Sequence, residues 1–290
     1  MKFGLFAINF GSCSDPEAAV RVALHAEAAG FESVWTGEHV VLPEPAATRS
    51  LPPSLPMLDT IVSLTLVAAH TSSIKVGSGI IVLPLRNPVV LAKELASVDV
   101  VSNGRLVVGV GAGYIPDEFE AVGVPITERG GRMDDYIDAM RALWSMKHPT
   151  FNGRYVSFAG VDAYPRPIQR PGPPIVIGGG SLGALRRAVT RGNGWYGFNV
   201  DVDLAGQCVE ALRDLASGHE RLPELGELEL TVTPVGRLDR QIVEQYEELG
   251  IHRMVLLPQP DADRDHRHAP IPVETILRNI DHVSATILDS

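Results

Sequence analysis

Short apolar runs alternate with longer stretches of helical periodicity along almost the whole chain. The runs are rich in β-branched and aromatic residues and are bounded by glycine, proline and polar residues, so each is predicted to form a β-strand. The predicted strands cover residues 3–8, 33–36, 75–83, 106–110, 175–177, 195–198, 228–232 and 253–257.

A helix is predicted after each strand. The first helix opens with Asp15, Pro16 and Glu17, which combine an N-cap, a first-turn proline and an acid that favours the helix dipole. The predicted helices run over residues 16–30, 57–71, 88–101, 132–147, 182–191, 203–217, 239–249 and 273–288. This repeated alternation is typical of an α/β fold, the (β/α)8 TIM barrel, in which the loops after the strands share one catalytic face.

Three segments show neither periodicity, and we expect them to be insertions in a single barrel domain that spans residues 1–290. Residues 40–56 follow the second strand and are rich in proline. Residues 114–131 and 148–173 flank the fourth helix, and the second of these contains Asn152-Gly153, a dipeptide that favours a hairpin turn.

Composition limits the partners of this chain. The formal net charge is −10, and the lysines and arginines are scattered, which disfavours nucleic acid and anionic membranes as partners. The N-terminus lacks the pattern of a signal peptide, and no apolar run approaches the ~18 residues of a membrane span. The two cysteines, Cys13 and Cys208, are too few for a disulfide framework or a zinc site. We therefore expect a cytoplasmic protein.

The clearest candidate chemistry stands at the end of the second strand. There the apolar run gives way to Gly37, Glu38 and His39. A histidine at this place can titrate near neutrality or donate a hydrogen bond to a bound ring, and an adjacent glutamate can orient it. The alternative is a surface turn with a solvated carboxylate.

A glycine-rich loop follows the fifth strand. The residues Gly178, Gly179, Gly180 and Ser181 begin a match to the dinucleotide-binding pattern G-x-G-x-x-G. Four strand–helix units precede this loop, whereas a Rossmann fingerprint normally opens its sheet, so its position favours a barrel. Backbone amides at a helix N-terminus bind anions, which predicts a phosphate site here. A tight structural turn is the alternative.

Glycines also end the fourth strand. Gly109, Gly111 and Gly113 alternate with other residues, and no helix follows directly, which excludes a Rossmann motif. Small residues here could let a flat ring lie against the strand ends. Close packing of protein side chains explains the same pattern equally well.

Acidic residues and histidines cluster after the eighth strand. These are Asp261, Asp263, Asp265, His266 and His268. The spacing departs from a calcium loop at the positions that require glycine and glutamate, and no zinc motif is present. We expect a solvated loop and no metal site.

In their order and spacing, four stretches resemble the bacterial-luciferase-like superfamily and, within it, the coenzyme F420-dependent oxidoreductases. They are FESVWTGEHVVLP at the second strand, KVGSGIIVLPLRNPVVLAKELASVDVVSNGR at the third, LVVGVGAGY at the fourth, and GGGS after the fifth. The resemblance covers nearly the whole chain.

This resemblance implies a barrel that holds a deazaflavin or flavin at the carboxyl ends of its strands. It implies that His39 contacts the ring, and that a bulge with a non-prolyl cis peptide joins Gly79 and Ile80, next to Ser78. The cofactor phosphate and polar tail would lie near Gly178–Ser181, with Gly111 and Gly113 close by.

Two departures from the family pattern bear on the substrate. Sugar-phosphate dehydrogenases of the family have an aspartate where this chain has Glu38 and a glutamate where it has Tyr114, so sugar-phosphate oxidation is not expected. We expect F420-dependent hydride transfer to or from a small organic substrate, with His39 as proton donor or electrostatic partner, Glu38 as its support and Tyr114 as a possible second proton donor. The alternatives are an FMN-dependent monooxygenase and a non-catalytic cofactor carrier. A homodimer is plausible.

Overall fold

The computed structural model describes residues 1–44, 51–219, 221–236, 238–260 and 270–288. The strands among these residues are β1 (Lys2–Leu5), β2 (Ser33–Thr36), β3 (Lys75–Ser78), β4 (Ile81–Val82), β5 (Leu106–Gly111), β6 (Phe151–Asn152), β7 (Ser157–Phe158), β8 (Ile175–Gly178), β9 (Gly194–Val200), β10 (Glu229–Pro234) and β11 (Arg253–Leu256). The acidic loop with Asp261, Asp263, Asp265, His266 and His268 lies outside the described residues.

Nine of these strands close into a parallel barrel. Their order is β3-β2-β1-β11-β10-β9-β8-β5-β4, and a further pairing of β3 with β5 closes the ring. Because β3 and β4 share one position, the barrel has the expected eight positions, and the (β/α)8 prediction is confirmed. The remaining pair, β6 and β7, forms the antiparallel hairpin predicted at Asn152-Gly153.

The third barrel strand differs from its predicted form. We expected one strand over residues 75–83, but β3 ends at Ser78 and β4 begins at Ile81. A cis peptide bond joins Gly79 and Ile80 between them, as the family resemblance implied. Both halves pair with β5, so the strand bulges without leaving the barrel wall.

Helices surround the barrel. They are α1 (Pro16–Ala28), α2 (Thr60–His70), α3 (Pro88–Val101), α4 (Pro116–Ala121), α5 (Arg129–Ser145), α6 (Leu182–Arg191), α7 (Val202–Gly218), α8 (Arg240–Glu248) and α9 (Val273–Val283). Local caps define several starts: Asp15 accepts the Ala18 N–H, and Asp59 accepts the N–H groups of Ile61 and Val62. The cap at Asp59 explains why α2 begins at Thr60 and not at residue 57.

The short helix α4 was not predicted. It lies within the segment that we expected to be an irregular insertion, residues 114–131. Pro116 occupies its first turn together with Asp117 and Glu118, a combination that favours a helix start. This helix supplies a residue of the site described below.

The barrel interior is filled mainly by large side chains. The Trp35 indole is fully buried, and a Cβ added to Gly77 would come within 2.7 Å of its Cδ2 atom. The Tyr196 ring lies 5.6 Å from Trp35 between ring centroids, and its hydroxyl is 2.7 Å from Thr233 Oγ1. The interior is therefore a packed core, and a ligand can enter only at the ends of the barrel.

No helix within the described residues is long and apolar enough to span a bilayer. Those same residues contain no group of three or more histidine, cysteine or acidic side chains that could hold a metal ion.

Candidate active site at the carboxyl ends of the strands

The turn after β2 carries the predicted His39, and hydrogen bonds from the side chain of Asn9 hold this turn in place. The side chain of Asn9 is fully buried, and its Oδ1 atom accepts the Gly37 N–H at 2.9 Å. Its Nδ2 atom donates to the Gly37 carbonyl at 2.8 Å. Both backbone groups of Gly37 are thus satisfied by one side chain, which fixes where the chain leaves the barrel. Sequence reasoning missed Asn9.

Glu38 turns towards the bulged third strand. Its Oε2 atom accepts the Val82 N–H at 2.7 Å, and its Oε1 atom forms an ion pair with Arg86. Arg86 also contacts Asp59 Oδ2 at 2.6 Å. Burial raises the pKa of Glu38, while the Arg86 charge and the Val82 amide oppose that rise. Glu38 therefore ties β2 to β4 and α2.

The expected support of His39 by Glu38 is not the contact that the structure contains. The carboxylate at the His39 ring belongs to Glu118 on α4, whose Oε2 atom lies 3.5 Å from His39 Nδ1. The other oxygen of Glu118, Oε1, accepts the Val40 N–H at 2.6 Å. Sequence reasoning missed Glu118, although an acid in the first turn of a proline-led helix after the fourth barrel strand was a usable signal.

Tyr114 stands beside His39 at the mouth of the barrel. The two ring centroids are 6.3 Å apart and the planes are nearly perpendicular, at 84°. Tyr114 is 65% exposed, so its hydroxyl can meet a ligand from the solvent side. The structure thus brings together two of the three residues predicted to be catalytic, while Glu38 points elsewhere.

Ser78 is engaged within the barrel wall. Its hydroxyl donates to the Gly109 carbonyl at 2.8 Å and accepts the Gly109 N–H at 2.9 Å. The side chain is fully buried. These two hydrogen bonds replace strand pairing beside the cis peptide, and they account for Ser78 without a cofactor contact.

Ile80 is partly exposed and rests on glycines of the neighbouring strands. A Cβ on Gly111 would lie 2.6 Å from Ile80 Cδ1, and one on Gly178 would lie 2.8 Å from Ile80 Cγ2. Gly79 is equally confined, because its Cβ would meet Tyr196 at 2.8 Å. These glycines make room for Ile80 to stand at the mouth, where its side chain can back a flat ring.

Gly113 serves packing rather than ligand access. Its φ is +76°, and an added Cβ would lie 2.6 Å from Val82 and 2.8 Å from Phe119. Close packing of protein side chains therefore explains why positions 111 and 113 are glycines. These side chains fill the space that we had considered for a ring.

The GGGS loop opens α6 at the end of β8. The Gly179 N–H donates to the Tyr196 carbonyl at 3.1 Å, so this amide is used within the protein. Gly180 and Ser181 are exposed, and the Ser181 hydroxyl caps the helix by accepting the Ala184 N–H at 3.3 Å. The exposed backbone at this helix N-terminus suits an anion such as a cofactor phosphate.

Three phenylalanines cluster near the carboxyl ends of β1 and β9, and sequence reasoning missed them. Phe6 lies 5.1 Å from Phe198 and 5.9 Å from Phe10 between ring centroids. Phe198, near the end of β9, is 48% exposed. We call these residues the phenylalanine wall. Together with Ile80 they give the mouth an apolar side that fits a tricyclic ring or an apolar substrate.

Sequence comparison finds relatives over most of the chain. An uncharacterized protein of Mycobacterium tuberculosis is 32% identical over 277 residues, which is 91% of this chain and 94% of that protein. The oxygenase component of a flavin-dependent trigonelline monooxygenase of Acinetobacter baylyi is 30% identical over 186 residues, 61% of this chain and 48% of that protein.

Solved structures share the fold. The monooxygenase RslO1 of Streptomyces bottropensis aligns over 100% of this chain and 99% of its own, with a TM-score of 0.77 and 22% identity. An F420-dependent secondary alcohol dehydrogenase in complex with an F420-acetone adduct aligns over 99% of this chain and 98% of its own, with a TM-score of 0.77 and 17% identity. The family model described as luciferase-like monooxygenase matches residues 1–269. The chain belongs to this luciferase-like family.

Proposed function

We propose that this protein is an F420-dependent oxidoreductase that transfers a hydride between the deazaflavin and a small, uncharged organic substrate. One observation carries the proposal: His39, Ile80 and the exposed residues Gly180 and Ser181 follow the carboxyl ends of β2, β3 and β8, which are parallel barrel strands. Parallel strands end on one rim, so these groups can act on a single ligand.

The residues of the rim have distinct tasks in this proposal. Ile80, braced by Gly111 and Gly178, backs the ring, and the backbone of Gly180 and Ser181 holds the phosphate. His39 exchanges a proton with the substrate oxygen or nitrogen, or holds it by a hydrogen bond. The bound cofactor supplies the hydride chemistry itself.

The phenylalanine wall supports an uncharged substrate. Phe6 packs edge to face against Phe10 and tilted against Phe198, and Phe198 remains half exposed beside the mouth. An apolar wall contributes affinity by removing apolar ligand surface from water, whereas a charged group there would lose its solvation. A sugar phosphate fits such a wall poorly.

An FMN-dependent monooxygenase is the second candidate. The family description and the 30% identity to the oxygenase component of trigonelline monooxygenase favour it. FMN and F420 share a flat tricycle and a phosphate, so the same rim could hold either one.

The deciding experiment measures binding and turnover with both cofactors. The purified protein is titrated with F420 and with oxidised and reduced FMN, and F420 reduction is then followed optically with a panel of alcohols, and oxidation of reduced F420 with ketones and enones. Micromolar F420 binding with hydride exchange supports the proposal. Selective binding of reduced FMN with oxygen consumption would establish the monooxygenase instead. Tight binding without exchange across the panel would indicate a cofactor carrier.

The homodimer and the cytoplasmic location expected from the sequence stay predictions. Sedimentation of the purified protein and fractionation of the source cells test them directly.

A further inference from the structure

Glu118 is a buried carboxylate that the proposed reaction does not yet use. Its side chain is 1% exposed, although it belongs to a short helix at the barrel mouth. A buried carboxylate is costly unless hydrogen bonds or a positive charge compensate it. Its Oε1 atom has such a bond from the Val40 N–H at 2.6 Å. The other oxygen faces the site.

That second oxygen lies beside an unsatisfied donor or acceptor. Glu118 Oε2 is 3.5 Å from Nδ1 of His39, which is within ion-pair range but lacks the geometry of a hydrogen bond. His39 Nδ1 is itself buried and has no hydrogen-bond partner among the described residues. The unpartnered Nδ1 atom of His39 therefore faces the second carboxylate oxygen of Glu118. Hydrogen bonds at catalytic residues are often long in ligand-free structures and tighten when a ligand binds.

We propose that Glu118 is the positioning residue of His39 and fixes its tautomer. An ionised carboxylate can only accept a hydrogen bond, so it selects the imidazole form that carries its proton on Nδ1. The Nε2 atom is then left with a free lone pair, which can accept a proton from a ligand. When it does, the imidazolium that forms stands beside the Glu118 charge and is stabilised by it.

The same carboxylate also fixes the main chain of the loop. Because Oε1 holds the amide of Val40, the residue after His39, Glu118 restrains both the ring and the backbone that carries it. It thereby links the loop after β2 to helix α4, which follows β5. The task that this gives His39 rests on the proposed function, but the tautomer itself does not.

The substitution Glu118→Gln distinguishes control of the His39 tautomer from simple bracing of the loop backbone. The Val40 N–H requires an acceptor, so it selects the amide oxygen of the glutamine, and the amide NH2 group is left facing Nδ1. A donor there forces Nδ1 to accept, and the proton moves to Nε2. The variant thus keeps the contact with the loop backbone and reverses the tautomer.

The measurement is the 15N spectrum of histidine-labelled protein, without cofactor, at a pH where the ring is neutral. The His39→Asn variant identifies the signals, and Glu120→Gln, an exposed residue of the same helix, is the matched control. We expect the Nδ1–H form in the wild type and in Glu120→Gln, and the Nε2–H form in Glu118→Gln. An Nε2–H form in the wild type, or an unchanged tautomer in Glu118→Gln, overturns the proposal. The wild-type spectrum decides alone if the variant does not fold.

Turnover provides the second readout. With whichever cofactor the protein uses, we expect Glu118→Gln to lower kcat by about 10- to 100-fold, by analogy with lost outer-shell partners of histidine ligands. Combined with His39→Ala, it should add little, because both changes remove one proton-transfer unit. Full additivity in the double variant would contradict the pairing. A reversed tautomer in a protein that turns over neither cofactor would refute the proposed function and leave the role of Glu118 intact.

Discussion

Charged and polar groups are paired differently at the two ends of the barrel. At the amino ends of the strands, Arg253 is fully buried and forms ion pairs with Glu32 at 2.9 Å and with Glu229 at 2.8 Å. Lys75 and Lys2 complete this network, with contacts of 2.9 Å to Glu32 and 2.6 Å to Glu229. These five residues, which we call the lower network, satisfy one another.

At the carboxyl ends of the strands, several polar groups remain available to a ligand. His39 Nδ1 has no hydrogen bond within the described residues, Tyr114 is exposed, and the loop at Gly180 and Ser181 is open to solvent. Groups that are satisfied within the protein stabilise the fold, whereas groups with free capacity can serve a ligand. Satisfied charges at the amino ends, the lower end of the barrel, stabilise the fold, whereas the open groups at the carboxyl ends, the upper end, can contact a ligand.

The largest expected effect tests the upper end. Replacing His39 with alanine should lower turnover by about 10²–10⁴-fold if the imidazole transfers a proton, while the free energy of unfolding changes little. Steady-state kinetics and urea unfolding of the same preparations measure both quantities. His70→Ala, at the exposed end of α2, is the control. Unchanged turnover in His39→Ala would remove the imidazole from the chemistry.

The next largest effect concerns the lower network and the free energy of unfolding. Arg253→Met leaves Glu32 and Glu229 largely buried without their main counter-ion, and removal of one partner from a buried ion pair costs about 3–5 kcal/mol. Urea unfolding should show this loss, whereas Lys2→Met, which removes an exposed contact, should cost less than about 1 kcal/mol. Cofactor affinity of the folded Arg253 variant should stay near the wild-type value. A selective loss of cofactor affinity would break the division between the two ends.

Lowering the pH should change the stability contributions of the two ends of the barrel in opposite directions. Burial alone would raise the pKa of Glu32, but Arg253 and Lys75 together lower it from 4.5 to about 2. The folded protein thus binds fewer protons at Glu32 than the unfolded chain does, and this contribution to stability is lost as the pH falls from about 4.5 to about 2. The raised pKa of Glu38 has the opposite sign, because protonation of that carboxyl favours the folded state.

Variants at these two carboxylates make the acid prediction measurable. The stability difference between the wild type and Glu32→Gln should shrink as the pH falls through that window, which urea unfolding at several pH values would record. Glu38→Gln should not reduce the acid sensitivity of the protein. Parallel pH profiles for the wild type and Glu32→Gln would contradict the assigned direction.

The smallest expected effect concerns the phenylalanine wall. Phe198→Ala should raise KM for an apolar substrate about 10-fold, which corresponds to about 1.4 kcal/mol of binding, and should leave kcat near its wild-type value. Leu182→Ala, another exposed apolar residue, is the control. An equal change in KM for apolar and for charged substrates would argue against the wall as a selector.

The barrel, and the rim that carries His39, could be predicted from local sequence patterns. Strand periodicity and local caps such as Asp15 act over a few residues, so they can be identified without knowing the fold. The order of strands and helices then fixed the topology, and the topology placed His39 and Gly180 on one rim. The bulge at Gly79 and Ile80 was expected only from the family resemblance.

Which groups the side chains contact depends on how the barrel closes. Glu38 and His39 are neighbours in sequence, but Glu38 reaches Val82 and Arg86, whereas His39 meets Glu118. The two side chains leave the turn in different directions, so proximity along the chain did not identify the carboxylate at the His39 ring. Only barrel closure brings α4 to the loop after β2, and a contact between residues so far apart leaves no periodic signal in the sequence.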